Sequence, residues 1–212
     1  MFSLIVISQS VMLPGEAAII QQLFAEGLEY FHLRKPDADE QAVRRLIEAI
    51  PAVYHNRIVM HGFFHLMSAY NIDRWHFREE HRQATTVETL AQEEDKGYIL
   101  STSVHDLTNL QQLPPLFEYT FFSPVFDSIS KQQYRGVAGD DFYIRDEQKP
   151  VPVIALGGIN AGNMEKLGDM NFDGAAVLGT IWNEPAKAID NFKILKWCQD
   201  AIWLNNALRS RR

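Results

Sequence analysis

The stretch PVIALGGINAGNMEKLGDMNFDGAAVLGTI, residues 152–181, decides the fold. A short apolar run ends in Gly157 and Gly158, a segment with helical spacing follows, and a second apolar run ends in Gly179 and Thr180. Short apolar runs bounded by turn residues suit strands buried on both faces, whereas spacing of three and four marks a helix. Strand, helix, strand is the unit of a parallel sheet, because parallel neighbours need a crossover between them.

The same unit repeats outward along the chain. Further apolar runs lie at 2–7, 30–33, 57–60, 74–77, 98–103 and 119–122, which with 152–156 and 174–178 makes eight strand candidates. Helical patterns fall at 14–26, where Ala17, Ile20, Leu23 and Phe24 share a face, and at 39–50, with Val43, Leu46, Ile47 and Ile50. Others lie at 87–94, 161–169 and 185–208. Eight such units in 212 residues predict an α/β chain folded as a (β/α)8 TIM barrel near its minimum size. An open doubly wound sheet is the alternative, but no G-x-G-x-x-G follows the first run. No linker, low-complexity tract or charge block divides the chain, so one domain over 1–212 is expected. The stretch 123–149 interrupts the rhythm with Pro124, Gly136 and Gly139 and reads as either a disordered or a functional loop, following strand six on the face where barrel active sites sit.

Composition narrows the partners. A net charge of -7 without internal basic runs argues against nucleic acid. No apolar stretch approaches the length of a membrane span, and no signal segment is recognised, so a cytoplasmic protein is expected. The lone Cys198 rules out an intramolecular disulfide and is expected to be an inert buried thiol. Trp182 and Trp203 are expected to pack. Trp75, Phe63, Phe64 and Trp203 suit either core or an interface, which leaves a homodimer open.

Four motifs carry chemistry. Gly157-Gly158 and Gly179-Thr180 follow strands seven and eight, whose loops build a shared phosphate site in many barrels; a helix start near Asn160 would add free N–H groups. A tight turn that simply needs glycine is the plainer alternative. Ser128, Ser130 and Lys131 offer hydroxyls and a cation to a second anion, or form an exposed polar loop. In YFHLRKPD, His32 and Arg34 share the interior face, with Lys35 on the rim; Arg34 meets either a ligand anion or a carboxylate. In YILSTSVHD, Ser101, Ser103 and His105 share a face, and Asp106 with Asn109 reads as a helix cap. Taken alone, His105 suits a structural role better than acid/base work.

The ordered set FHLRKPDAD, DRWHFREEH, STSVHD, SPVFDSISK, VIALGGI and GAAVLGTI resembles the thiamine phosphate synthase/thiazole tautomerase family over nearly the whole chain. The resemblance implies a barrel that binds small phosphorylated substrates. Its synthases join hydroxymethylpyrimidine diphosphate to thiazole phosphate with Mg2+ and release diphosphate; its tautomerases move protons on a thiazole carboxylate phosphate. It implies diphosphate contacts at Arg34, Ser128, Ser130 and Lys131, substrate contacts at Ser103, Gly157, Gly158, Gly179 and Thr180, and an acid/base role for His105. The pattern departs where synthases carry metal-binding aspartates. Met60-His61-Gly62 stands at the first position, and His76, Arg78, Glu79, Glu80 and His81 occupy the region of the second. His32, His61, His76 and Arg78 join the candidate site residues on that account. Glu79 and Glu80 are the carboxylates left for a metal, with Mg2+ expected only if synthase activity is retained. Tautomerase-like proton transfer by His105 is the first expectation, synthase chemistry the second, and a non-catalytic binding paralogue the third.

Overall fold

The computed structural model describes residues 2–127, 136, 139 and 141–209, with side chains as far as residue 205. Eight parallel strands close into one barrel in chain order. They are β1 (Ser3–Ile7), β2 (Tyr30–Leu33), β3 (Ile58–Met60), β4 (Arg74–Phe77), β5 (Ile99–Val104), β6 (Phe117–Phe122), β7 (Val153–Leu156) and β8 (Gly174–Val177). All eight coincide with the predicted runs to within two residues, so the barrel replaces the open-sheet alternative.

Helices α1 (Glu16–Ala25), α2 (Glu40–Glu48), α3 (Glu79–Gln83), α4 (Val87–Asp95), α5 (Leu107–Gln111), α6 (Lys166–Asp169), α7 (Gly179–Trp182) and α8 (Ala188–Arg209) cover the outside. α2 shows the local logic. The Asp39 carboxylate accepts from Ala42 N–H at 2.7 Å and caps the helix, while Val43, Leu46 and Ile47 are buried on one face. Between β3 and β4 the crossover is a 3-10 segment, Phe64–Tyr70, in place of an α-helix. The helix predicted at 161–169 is cut to the single turn of α6. Asn160 and Asn163 exchange hydrogen bonds with nearby backbone, including Gly162 N–H, and hold 160–163 in a turn. A helix start at Asn160 is therefore absent.

Alternation along each strand sorts two cores. Phe31, Leu33, Val6, Val104 and Phe122 point outward under the helices, whereas Ile5, Ile7, Tyr119, Phe121, Ile154 and Ala176 fill the barrel interior. β1 and β8 close the ring through the register Ser3↔Gly174 to Val6↔Val177. The Trp182 indole N–H donates to the Ile7 carbonyl at 2.7 Å and ties α7 across that seam. α8 buries Phe192, Leu195, Cys198 and Ile202. Burial pushes the Cys198 thiol pKa up, in line with an inert thiol. Trp182 packs as expected, but Trp203 does not: it is 52% exposed, because the 3.6-residue period turns it away from the buried face.

Glycine at 174 is a condition of closure. A Cβ there would sit 2.6 Å from both the Ser3 carbonyl oxygen and Ile154 Cδ1. Gly174→Ala is expected to destabilise the chain by about 1–3 kcal/mol through overpacking. A lowered urea midpoint with an unchanged m-value would show it.

Candidate active site

The carboxyl ends of the strands form a mouth whose floor is built from buried polar groups. His32 on β2, His61 just after β3 and His76 on β4 converge in the interior, with ligand nitrogens all within 4.8 Å of one another. His32 Nε2 lies 2.6 Å from the Tyr119 hydroxyl, and His32 Nδ1 lies 2.8 Å from His61 Nε2. The two ring nitrogens of His76 each meet a serine hydroxyl at 2.9 Å, Ser101 at Nδ1 and Ser103 at Nε2. Burial drives the pKa of His32 and His61 well below the usual histidine value, with neighbouring cationic groups adding to the effect. It takes His76 to about 3, with Arg34 and Arg78 contributing. All three imidazoles are therefore neutral near pH 7. Burial also raises the Tyr119 pKa, so its hydroxyl keeps its proton. A consistent assignment has Tyr119 O–H donating to His32 Nε2 and His32 Nδ1–H donating to His61 Nε2.

Above this floor are two adjoining clefts that share Arg34 and Leu156. One, about 410 Å³, is lined by Gly157, Gly158, Gly179, Thr180, Asn183 and Ser10. The other, about 350 Å³, is lined by His61, His76, Arg78, Glu79, Glu80, Ser103 and His105. The predicted glycine turns and His105 thus open into one mouth. Gly157 and Gly158 have φ of 107° and 66°, and a Cβ on Gly158 would meet the Asp127 carbonyl oxygen at 2.4 Å. Both the turn and the close approach of the segment after β6 demand glycine here. Thr180 spends its hydroxyl proton on the Ile159 carbonyl at 2.5 Å, so that group orients the turn.

His105 lies just beyond β5 with its side chain 54% exposed. Its Nδ1 is 2.8 Å from the Ser123 carbonyl oxygen. A carbonyl only accepts, so Nδ1 carries a proton, and in the neutral ring the lone pair is on Nε2. Nε2 stands 3.7 Å from the Glu79 carboxylate. This is the geometry of a histidine oriented by one nitrogen and available at the other. Asp106 caps α5 as expected, accepting from Asn109 N–H at 2.7 Å.

One expectation changes. Lys35 is buried instead of lying on the rim: its ammonium donates to both Glu16 carboxylate oxygens at 2.7 Å and to the Gln9 and Val11 carbonyls. The ion pair compensates a charge that burial would otherwise expel. Arg34 has no ion pair with a described carboxylate, although the Asp37 charge acts favourably on it. The Ser103 hydroxyl meets His76 Nε2 at 2.9 Å and also lines the cleft that holds His105. Ser128, Ser130 and Lys131 lie outside the described residues. Tyr119 is a floor residue outside the four sequence motifs, although its inward position follows from strand alternation.

The site does not suit Mg2+, which takes hard oxygen donors in an octahedron. Imidazoles and two guanidinium groups face the mouth, and the Glu79 carboxylate is turned toward Arg82 at 3.6 Å as well as toward His105. The three imidazoles would suit a softer ion better, yet both nitrogens of His32 and of His76 already have partners and the His61 and His76 rings stack at 4.2 Å.

The sequence profile described as thiamine monophosphate synthase matches residues 4–181. A crystal structure of thiamine phosphate pyrophosphorylase from Bacteroides thetaiotaomicron is 30% identical, covers 94% of this chain and 98% of its own, and superposes with a TM-score of 0.74. Thiamine-phosphate synthase of Geobacillus kaustophilus is 22% identical over 179 residues, 80% of this chain and 79% of that protein. Thiamine phosphate pyrophosphorylase of Pyrococcus furiosus is 17% identical, covers 95% and 96% of the two chains with a TM-score of 0.73, and supports the fold alone.

The neutral histidine floor makes stability depend on pH. The native imidazoles stay neutral while the unfolded chain takes up protons below about pH 6.5. Their contribution is full above that value and is lost as pH falls toward about 3, the folded value of His76. Urea unfolding between pH 7 and 5 is expected to show a loss approaching about 1.4 kcal/mol per pH unit for each such imidazole. His76→Gln should flatten that slope.

Proposed function

Because the chain belongs to the thiamine monophosphate synthase family, we propose that it couples a pyrimidine diphosphate to a thiazole phosphate and releases diphosphate. The observation that carries this reading is one mouth with two ends suited to anions: the glycine-turn cleft on one side and Arg34 on the other, which borders both clefts. The names of the similar proteins support the transfer reaction over proton transfer, which reverses the order expected from the sequence.

In this reading the phosphate of the thiazole rests against the turns at Gly157, Gly158 and Gly179, and the diphosphate faces Arg34. The pyrimidine lies over the neutral floor of His61 and His76, which offers hydrogen-bonding groups without adding charge. Holding both substrates in one cleft replaces a bimolecular encounter by an oriented one. The thiazole nitrogen attacks the methylene carbon, the C–O bond to diphosphate breaks, and its electron pair leaves with the diphosphate oxygen. Arg34 stabilises the charge that collects there.

A second reading has one specific observation in its favour. His105 presents Nε2 to the same mouth while Nδ1 is held by the Ser123 carbonyl, as a proton shuttle on a thiazole carboxylate phosphate would require.

Purified protein given both coupling substrates is expected to form thiamine phosphate. Arg34→Ala should lower kcat/KM about ten- to a hundredfold, the loss expected for a charge-assisted contact. Isomerisation of thiazole carboxylate phosphate without any coupling would reverse the two readings. In that case His105→Ala should remove about 10²–10⁴-fold of rate. Binding of thiazole phosphate with neither reaction would mark a binding protein.

A further inference from the structure

Arg34 and Arg78 line the same two cavities, the 350 Å³ cleft that holds His105 and a smaller one of about 230 Å³ beside Pro36 and Phe63. No described carboxylate comes within ion-pairing distance of either guanidinium. Acidic groups are near: Asp37 acts favourably on Arg34, and Glu79 and Glu80 border the cleft. Glu79, however, is turned toward Arg82 and His105. The pKa of Arg34 is lowered by burial first and by the Arg78 charge second. Two like charges are thus held near each other, one of them partly desolvated, with no carboxylate among the described residues in ion-pairing contact with either. That is a costly arrangement unless an anion completes it.

The neighbouring residues sharpen what the anion must meet. Lys35, the second cation of YFHLRKPD, is withdrawn into its buried pair with Glu16. His61 stands after β3 where a metal-binding carboxylate would be expected, and its neutral ring adds neither an oxygen donor nor a positive charge. Without Arg78 the diphosphate end of the mouth would have Arg34 as its sole described cation.

We propose that Arg34 and Arg78 form a two-guanidinium site for the diphosphate group that takes over the charge neutralisation a divalent metal would supply. The proposal rests on the transfer reading given above. Guanidinium groups keep their protons throughout, so they act as fixed charges and paired N–H donors, not as acids. As the C–O bond breaks and the C–N bond forms, the electron pair passes to the diphosphate oxygen between them, and no proton or redox partner is needed. Arg78 opens α3 and is exposed, so it can follow the leaving group outward as diphosphate departs.

The test uses the full chain and inorganic diphosphate, titrated calorimetrically in EDTA and again with Mg2+. Diphosphate is expected to bind in EDTA, with Mg2+ giving no gain in affinity. Arg78→Gln should weaken binding about ten- to a hundredfold, with Arg78→Lys recovering only part of it because an ammonium lacks the paired donors. Arg78 is exposed, and an unchanged melting temperature for Arg78→Gln would establish that the variant folds. Binding seen only with Mg2+, or equal binding by wild type and Arg78→Gln, overturns the proposal. The two readings fail separately. Coupling that strictly requires Mg2+ keeps the transfer reaction and removes the arginine site. Tight, Arg78-dependent diphosphate binding in EDTA without coupling keeps the site and removes the transfer reaction.

Discussion

Closure of the barrel governs everything else in this structure. The seam between β1 and β8 joins Ser3 to Gly174 and Val6 to Val177, and the Trp182 indole fastens α7 across it. Once the ring is closed, alternate side chains of eight strands must share one narrow interior. On the side of β1, β6, β7 and β8 that interior is filled by Ile5, Ile7, Phe121, Ile154 and Ala176. On the side of β2 to β5 it receives His32, His76, Ser101 and Ser103, with Tyr119 reaching across from β6. Buried polar groups without partners would be destabilising, so these residues satisfy one another.

That satisfied network explains the character of the mouth. The imidazoles stay neutral because the interior excludes water, helped at His61 and His76 by the nearby charges of Arg34 and Arg78. Among the described residues, positive charge at the mouth is thereby carried by the two guanidinium groups at the rim instead of being spread over the floor. Lys35 is removed from the mouth by Glu16, and the same contact ties the Gln9 and Val11 carbonyls to the end of β2. His105 is set apart from the floor: it lies beyond β5, partly in solvent, oriented by the loop at Ser123. The mouth therefore combines fixed cations, a neutral polar base and one accessible imidazole.

Much of this could be read in advance. The eight apolar runs and the glycine turns at 157–158 and 179 carry local signals, because strand burial and positive φ each restrict residue choice at single positions. The placement of His105 beside those turns followed from counting strands. The shortness of α6 is not legible in its apolar spacing, because Asn160, Gly162 and Asn163 favour a turn that side-chain hydrogen bonds complete. The burial of Lys35 is not legible locally, because its partner, Glu16, lies 19 residues away and nothing in the local pattern announces the pair. The exposure of Trp203 depended on the exact phase of α8 against the barrel.

The sequence by itself determined the barrel, the order of its strands and the family to which the chain belongs, since periodicity and motif order are properties of neighbouring residues. Tertiary structure alone decided which polar groups meet. His32, His61 and Tyr119 span 88 positions of sequence, and only strand register and closure bring their ring nitrogens and hydroxyl within hydrogen-bonding reach. The same holds for Arg34 and Arg78, which belong to different strand ends and share a cleft because β2, β3 and β4 are adjacent in the ring. Charge, burial and protonation depend on distances in three dimensions, and those distances exist only after the barrel has closed.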